Sequence, residues 1–178
     1  RRFTWIKRRC APEEEAAVKA MKLRGVGFEG DTRRAYVLGN SMGQVLGYVD
    51  IDGNGLEGLE REYQHVLAGQ AGEQWVLRDA RRDMISSFTR PVKDAQAGAK
   101  LELTIDARMQ NVAEQALAKI MEKHSPESAV AVVTDPRTGE ILAIAGYPNY
   151  DPNDPSAAKA EARRCRAATD FVEPGSTF

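Results

Sequence analysis

Residues 106–124 read DARMQNVAEQALAKIMEKH and carry the strongest helical pattern in the chain. Its apolar residues follow one another at intervals of alternately three residues and one residue, and this spacing places their side chains along one side of an α-helix. The apolar positions are Met109, Val112, Ala113, Ala116, Leu117, Ile120 and Met121. Asp106 precedes them, and an aspartate there can accept hydrogen bonds from the free N–H groups of a first helical turn. The sequence therefore predicts an amphipathic helix over 106–124, capped by Asp106.

Two short apolar runs come after this helix. The first is AVAVVT at 129–134, the second is ILAIA at 141–145, and the turn between them contains DPRTG. Runs rich in β-branched residues on either side of a glycine-containing turn predict a β-hairpin. Because both runs are apolar at nearly every position, both faces are expected to be buried, and the hairpin is expected to belong to a larger antiparallel sheet.

Three further helices are predicted upstream. Pro12 and the three glutamates after it are typical of a helix start, because proline suits the first turn and acidic groups favour the positive end of the helix dipole. We expect that helix to end at Gly25. A short helix is expected over 41–49 with Asn40 as its cap, and a longer one over 56–67. The buried face of the longer helix is predicted to contain Leu56, Leu59, Tyr63, Val66 and Leu67, with Gly69 at its end.

Strands are predicted at 34–38, 73–82 and 100–104, between the helices. A small polar stretch at 94–98 separates this mixed first half from the helix and hairpin described above. The predicted fold class is therefore α+β, with a first part over 1–97 and a second over 98–178.

Charge and hydrophobicity narrow the possible functions. Lys and Arg number 25 and Asp and Glu 26, so the formal net charge of −1 gives no general attraction to nucleic acid or anionic membranes. Basic and aromatic residues at 1–9 could suit single-stranded nucleic acid, but the rest of the chain is not basic, so no nucleic-acid partner is expected. No apolar run approaches the roughly 20 residues of a membrane helix. The chain opens on Arg1 without a signal peptide, so we expect its natural N-terminus to lie upstream.

Two features imitate metal sites. The run DIDGNG at 50–55 matches the start of a calcium-binding loop, which requires a bidentate glutamate at its last position. That position is Arg61, so the run is expected to be a glycine turn that begins a helix. Neither His65 nor His124 has a partner at ligand spacing, and no metal is expected.

Two other groups of residues each allow two roles. Cys10 and Cys165 are too few and too far apart in sequence for a disulfide framework or a zinc site. They are expected to be unpaired thiols, although an oxidising compartment would permit a bridge. Arg163, Arg164 and Arg166 are expected to form a solvated face, and their place shortly before 173–178 leaves open a role in orienting that region.

The last six residues, EPGSTF at 173–178, contain the candidate catalytic residue, Ser176. Proline and glycine predict a tight turn, and a serine after such a turn can cap a helix. The same arrangement suits an acyl-transfer enzyme, because a serine at a helix N-terminus lies beside unpaired N–H groups that can stabilise an oxyanion. Local chemistry alone leaves both interpretations open.

Several segments in order resemble class B penicillin-binding proteins. The segments that resemble the start of the family's transpeptidase domain are LTID at 103–106, Gln110 with AEQAL at 113–117, DPRTGEILA at 135–143, YPNYDPN at 147–153, RAATD at 166–170 and EPGSTF at 173–178. GLEGLE at 55–60 resembles the non-catalytic pedestal, and FTWIKR at 3–8 is most similar to the septal, cell-division branch. The resemblance implies a dimerisation-type pedestal domain over 1–97 and the N-terminal part of a transpeptidase domain over 98–178.

The resemblance also implies a chemistry. Ser176 takes the nucleophile position of a Ser-x-x-Lys motif and would cross-link peptidoglycan stem peptides through an acyl-serine intermediate, without metal or cofactor. β-Lactams would be trapped at the same serine. The motif lysine would come after Phe178, so this chain by itself is expected to be inactive. Cys165 departs from the family pattern, in which an asparagine is expected before Arg166.

The resemblance further implies a location and partners. A membrane anchor is expected upstream of this chain, at the periplasmic face of a bacterial inner membrane, with a glycan polymerase and other divisome proteins as partners. An alternative function is a docking module, because most of the chain resembles the pedestal. A β-lactam sensor or a carboxypeptidase shares the serine motif, but those proteins usually lack the pedestal segment seen at 55–69.

Overall fold

The computed structural model describes residues 4–75, 90–171 and 173. Contacts divide the chain into two units, Arg1–Ala35 and Tyr36–Phe178. The first unit contains helix α1 (Pro12–Ala20). Glu14 stabilises its first turn by accepting a hydrogen bond from the Ala11 N–H at 2.9 Å and pairing with Lys7 at 2.5 Å. The Lys7 contact and then the Ala11 N–H lower the pKa of Glu14. The predicted helix is confirmed, but it ends at Ala20 rather than at Gly25.

The second unit combines short helices with two antiparallel strand pairs, β1 with β2 and β3 with β4. Its elements are α2 (Gly43–Leu46), α3 (Gly58–Glu62), α4 (Gln64–Leu67), β1 (Glu73–Trp75), β2 (Arg90–Lys93), α5 (Ala107–His124), β3 (Ala129–Thr134), β4 (Ile141–Tyr147), a 3₁₀-helix (Pro155–Ala157), α6 (Ala160–Arg163) and α7 (Arg166–Thr169). The predicted α+β class is confirmed. Of the helices in the described residues, none is both long and apolar enough to span a membrane.

Helix α5 forms as the sequence predicts. The Asp106 side chain accepts hydrogen bonds from the Arg108 and Met109 N–H groups at 2.8 and 3.0 Å. These two bonds, the one from Met109 first, lower the pKa of Asp106. The helix ends at Ser125, which adopts a left-handed conformation with φ of 48°.

The predicted hairpin is confirmed, with Ala131 opposite Ala145 in the antiparallel register of β3 and β4. Helix α5 packs on it through a small core formed by Ala113, Leu117, Ala143 and Ala145. These small side chains allow the helix to lie close to the strands. Successive strand residues face opposite sides, so the valines that alternate with Ala129 and Ala131 lie on the other face.

Among the described residues, β3 and β4 pair with each other as a two-stranded sheet, so the larger sheet that would bury both hairpin faces is not formed there. Val130, Val132 and Ile141 are exposed. The apolar stripe of α5 is also wider than the surface that it buries, because Val112 is 66% exposed. Gln110, which the stripe did not include, is the most buried large side chain of the helix at 2% exposure.

Several upstream predictions are wrong in their bounds. The helix expected over 41–49 covers Gly43–Leu46, and it is preceded by Met42 in a left-handed conformation rather than capped by Asn40. The helix expected over 56–67 is divided at Tyr63 into α3 and α4. Its expected buried face is largely exposed, and the buried residue of α3 is Glu60.

The strand predictions also need correction. Residues 34–38 form no strand, because the Tyr36 backbone bonds to the side chain of Asn153 instead. Residues 100–104 are irregular, and Thr104 donates to the Ile141 carbonyl oxygen. The strand predicted at 73–82 covers Glu73–Trp75, and its remainder lies outside the described residues. Its partner is β2, which the sequence did not predict.

Candidate active site

The predicted nucleophile, Ser176, lies outside the described residues. The described chain that leads to it runs over 148–171 and is called the approach segment. It contains the 3₁₀-helix, α6 and α7. Both α7 and the α5–hairpin core belong to the second unit, and α7 contacts β3 and β4. The structure therefore describes the approach segment and the elements that contact it, but not the candidate nucleophile itself.

The end of the approach segment is held by a network of ion pairs. Arg166 binds Asp170 at 3.2 Å and Glu161 at 2.8 Å, and Arg164 also pairs with Asp170. The Thr169 hydroxyl donates to Asp170 at 2.9 Å. The Thr169 hydrogen bond first, and then the two arginines, hold the pKa of Asp170 below its ordinary value. Both arginines are thus paired within the segment, Arg166 with a largely covered side chain and Arg164 with an exposed one, so the expected solvated face holds for Arg164 and not for Arg166.

Arg163 points to different partners. Its guanidinium lies 5.9 Å from the centre of the Tyr48 ring and 3.5 Å from the Glu57 carboxylate. It also donates to the Pro155 carbonyl oxygen at 3.4 Å. A guanidinium over an aromatic face is attracted to the ring quadrupole. Arg163 therefore connects the approach segment to the chain around α2 and α3.

Tyr150 is a buried phenol in the same region. Its ring makes an edge contact with Tyr48, with centroids 6.3 Å apart. Burial first, and then the negative charge of Glu57, raises the pKa of Tyr150, and Arg163 only partly opposes this. Tyr150 therefore keeps its proton at physiological pH. Its backbone carbonyl lies against Gly43, where an added Cβ would be 2.4 Å from the oxygen.

Two amide side chains hold the backbone of the approach segment. Gln44 Nε2 donates to the carbonyl oxygens of Pro148 at 2.5 Å and Ala162 at 2.8 Å. Asn153 accepts from the Tyr36 N–H at 3.0 Å and donates to the Tyr36 carbonyl at 2.9 Å. Buried backbone groups need such partners, and here side chains supply them in place of a strand.

A third group of contacts joins α5 to residues 41 and 42. Glu114 Oε1 accepts from the Ser41 hydroxyl at 2.9 Å, the Met42 N–H at 3.2 Å and Gln110 Nε2 at 2.7 Å. Gln110 and Glu114 belong to the segments that resemble the family, but the sequence did not predict these contacts. The available signal was that Gln110 and Glu114 are one turn apart and border the apolar stripe of α5.

The residues that imitate metal ligands have other roles. The Asp50 carboxylate accepts from the Asp52 and Asn54 N–H groups at 2.8 and 2.9 Å, and these bonds fold the predicted glycine turn. The bonds from Asn54 are the main cause of the lowered pKa of Asp50. Within the described ranges, no three His, Cys, Asp or Glu side chains are grouped so that they could hold a metal ion. Cys10 and Cys165 are both free.

Comparison with known families supplies the identity of the segments. A family model for the penicillin-binding protein dimerisation domain matches residues 3–103, more than half of the chain. The chain belongs to the penicillin-binding proteins. A second model, for the penicillin-binding protein transpeptidase domain, matches residues 129–178 and includes the EPGSTF segment. The resemblance inferred from sequence motifs is confirmed.

Individual penicillin-binding proteins and related enzymes match along almost the whole chain. The chain is 44% identical over 177 residues, 99% of its length, to the probable peptidoglycan D,D-transpeptidase PenA of Neisseria gonorrhoeae. It is 36% identical over 176 residues to the peptidoglycan D,D-transpeptidase FtsI of Escherichia coli, again covering 99% of this chain. The chain spans about 30% of the length of these curated relatives.

Solved structures agree with the family. A peptidoglycan synthetase from Bifidobacterium adolescentis aligns with a TM-score of 0.67 and 29% identity, over 93% of this chain and 30% of that protein. Penicillin binding protein 3 from Mycobacterium tuberculosis, solved in complex with aztreonam, aligns with a TM-score of 0.59 and 29% identity. That alignment covers 73% of this chain and 25% of the mycobacterial protein.

Proposed function

We propose that the protein is a peptidoglycan D,D-transpeptidase and that Ser176 is its nucleophile. The observation that carries the proposal is the match of enzymes with this name to 99% of the chain. The transpeptidase family model runs to residue 178 and therefore includes Ser176. The turn chemistry of Pro174 and Gly175 before the serine supports the same role.

The reaction is an acyl transfer in two steps. Ser176 Oγ attacks the carbonyl carbon between the two terminal D-alanines of a stem peptide, and a base takes the hydroxyl proton. The C–O ester bond forms, the C–N bond breaks, and D-alanine leaves with a proton on its amine. An amine of a neighbouring stem peptide then attacks the ester, forms the cross-link amide and releases the serine. Oxyanion stabilisation by backbone N–H groups lowers both barriers.

The same serine accounts for the expected binding of β-lactams. A β-lactam ring presents a strained amide that the nucleophile opens, and the product stays attached as an ester. The mycobacterial relative solved with aztreonam supports this part of the proposal. The similarity to FtsI supports a role in cell division, with a glycan polymerase and other divisome proteins as partners. The reaction takes place outside the cytoplasm, and we propose an inner-membrane anchor in the complete protein.

We propose that the chain contains two functional parts. We assign residues 1–97 to the pedestal and residues 98–178 to the first part of the transpeptidase domain. The dimerisation model over 3–103 and the transpeptidase model over 129–178 support this assignment. The dimerisation model also favours a second candidate function, in which the pedestal is a protein–protein docking module. Sedimentation velocity of the full chain over a range of concentrations would reveal self-association through it.

The test of the catalytic proposal is covalent labelling by a fluorescent penicillin. We expect the complete gene product that contains this chain to be labelled stoichiometrically, and the Ser176→Ala variant to remain unlabelled, because the substitution removes the acylated oxygen. Thr177→Ala is the matched control, since it changes a neighbouring hydroxyl and leaves the nucleophile. Absence of labelling in the unmodified complete protein would refute the proposed activity. Labelling of Ser176→Ala would refute the assignment of the nucleophile.

A further inference from the structure

The glycine turn at 50–55 contains a dipeptide with a reactivity of its own. Asn54 is followed by Gly55, and asparagine is one of the thermally labile residues of proteins. Glycine has no Cβ, so its backbone nitrogen can approach the preceding side chain more easily than that of any other residue. The other asparagines are each followed by a residue with a side chain, and they are Asn40, Asn111, Asn149 and Asn153. Asn54 is therefore the position at which the sequence favours spontaneous deamidation.

Deamidation at this position is a reaction between two neighbouring groups. The Gly55 backbone nitrogen loses its proton to hydroxide and attacks the side-chain carbonyl carbon of Asn54. The new C–N bond closes a five-membered succinimide, and the C–Nδ2 bond breaks and releases ammonia, whose third proton comes from water. Water then opens the ring at either carbonyl, so residue 54 becomes aspartate or isoaspartate. Asn54 is exposed, so hydroxide and water can reach it.

The attacking nitrogen is held by Gln64 in the folded chain. The Gly55 N–H donates to Gln64 Oε1 at 2.8 Å, and Gln64 is the first residue of α4. This hydrogen bond has to break before the nitrogen can lose its proton and attack. The backbone at Gly55 is also closely packed, since an added Cβ there would lie 2.1 Å from the Glu60 carbonyl oxygen. Both features oppose the rotation of the peptide that ring closure requires.

The group under attack is held by a different partner. Asn54 Nδ2 donates to Asp50 Oδ2 at 2.9 Å, and the Asn54 N–H donates to Asp50 Oδ1 at 2.9 Å. Hydrogen bonds to an ionised carboxylate are stronger than those between neutral groups. These two bonds fix the Asn54 side chain against Asp50, while the Gly55 nitrogen is bound to Gln64. The fold thus holds the two reacting groups on separate partners.

We propose that Asn54 is a site of spontaneous deamidation and that Gln64 sets its rate. The closed turn is the protected form, and each local opening of the hydrogen bond between Gly55 and Gln64 releases the nitrogen for attack. The reaction needs neither a substrate nor a nucleophilic serine. The inference therefore does not depend on the proposed transpeptidase activity.

The modification changes both the charge and the backbone of the turn. Conversion to aspartate replaces the Nδ2 donor by a carboxylate beside Asp50, and like charges in contact disfavour each other's ionised form. Isoaspartate also adds a methylene to the main chain between Asn54 and Gly55. That addition lies inside the turn closed by the hydrogen bond from the Leu56 N–H to the Tyr48 carbonyl oxygen at 2.9 Å. The turn that leads from α2 to α3 is destabilised by either product.

The first experiment follows deamidation of the complete gene product during incubation at mildly alkaline pH. Peptide mapping by mass spectrometry measures aspartate and isoaspartate at each asparagine, and we expect the wild type to be modified first at Asn54. Gln64→Met keeps the side-chain length and removes the acceptor. The rate at residue 54 should rise by about 5-fold, the kinetic equivalent of one lost hydrogen bond. Gln115→Met, at an exposed position of α5, is the control and should leave the rate unchanged.

Two further comparisons separate the hydrogen bond from a general loosening of the fold. Gln64→Glu keeps an oxygen that can accept from the Gly55 N–H, so we expect it to retain the slow rate of the wild type. If Gln64→Met does not fold, the wild type is compared in native buffer and in urea, where the bond to Gln64 is absent. The folded protein should then be modified more slowly by about the same factor or more.

Each outcome supports the inference or overturns it. Modification of the wild type at another asparagine before Asn54 would overturn the assignment of the site. The role of Gln64 would be overturned by equal rates in Gln64→Met and wild type, by equal rates in folded and urea-unfolded wild type, or by a fast Gln64→Glu variant. A fast Gln64→Met variant beside a slow Gln64→Glu variant supports it. None of these measurements uses penicillin, so their failure leaves the labelling test of the proposed function unaffected.

Discussion

The side chain of Gln110 pairs with the backbone of Ile144 as an additional strand would. Gln110 Nε2 donates to the Ile144 carbonyl oxygen at 3.0 Å, and its Oε1 accepts from the Ile144 N–H at 2.8 Å. Helix α5 and strand β4 are therefore joined by a polar contact as well as by the apolar core of Ala113 and Ala143. A glutamine in this position fixes the register of the helix along the strand, because only one alignment satisfies both groups.

Removing that amide should destabilise the protein. Gln110→Leu leaves the N–H and C=O of Ile144 without their partner, and unsatisfied groups in this environment cost about 2–3 kcal/mol of unfolding free energy. Urea denaturation measures the loss. Gln115→Leu is the control, because Gln115 is an exposed residue of the same helix that donates to Asn111. A loss in Gln110→Leu no larger than that in the control would contradict the role given to this contact.

Alanine substitutions at Gly47 and Gly53 test the effects of backbone strain and of close packing separately. Both have positive φ, 75° and 86° respectively. A Cβ at Gly47 would lie 1.8 Å from the Glu57 oxygen, whereas nothing lies within 4 Å of one at Gly53. We expect Gly47→Ala to lose about 3 kcal/mol or more of unfolding free energy, from strain and overlap together. Gly53→Ala should lose about 1 kcal/mol from strain alone. If both variants lower the midpoint of urea denaturation by the same amount, the close approach of Gly47 to the Glu57 oxygen is contradicted.

Ser125 offers a stabilising substitution. It ends α5 in a left-handed conformation that glycine adopts without steric cost. Ser125→Gly should raise the unfolding free energy by about 0.5–1 kcal/mol, because the relief of strain exceeds the added entropy of the unfolded chain. Ser128→Gly, three residues along and without a positive φ, should lower it. Thermal and urea unfolding measure both changes. If Ser125→Gly is less stable than the wild type, the Ser125 side chain makes a contact that stabilises the fold by more than the backbone strain destabilises it.

Asp170 should titrate below the ordinary aspartate value of 3.8. Its lowered pKa in the folded state means that the interaction stabilises the fold above the ordinary value and is lost as the pH falls through the lowered value. An NMR titration of the Asp170 carboxyl measures this directly. Thr169→Val removes the hydrogen bond that contributes most and should raise the pKa, while Thr169→Ser keeps the hydroxyl and should leave it low. An unchanged pKa in Thr169→Val would assign the shift to the arginines instead.

Calcium should not change the melting temperature of the chain. The Asp50 carboxylate is occupied by the N–H groups of Asp52 and Asn54 and by the Asn54 side-chain amide at 2.9 Å. Arg61 stands where a calcium loop needs a bidentate glutamate. Differential scanning fluorimetry with millimolar calcium, compared with the same protein in EGTA, checks this. A clear increase in melting temperature would show binding, since a ligand stabilises the state to which it binds.

The sequence by itself determined the local elements whose signals are contained within one segment. The spacing of apolar residues and the Asp106 cap specify α5, and β-branched runs around a glycine turn specify the β3–β4 hairpin. Proline and acidic residues specify the start of α1. The motif order also indicated the family and the candidate nucleophile Ser176, because those depend on residue identity and not on long-range geometry.

Only the tertiary structure decided which positions are buried and how polar side chains connect distant segments. Gln44 and Pro148, or Tyr36 and Asn153, are about a hundred residues apart, and no periodic pattern relates one to the other. Residues 34–38 failed to form a strand because a side-chain amide satisfied the Tyr36 backbone instead of a neighbouring strand. Burial of Gln110 in place of Val112 likewise depends on which surface of α5 meets the alanines of the hairpin. Hydrogen-bond partners and packing surfaces are properties of two segments together, so a signal within either segment cannot determine them.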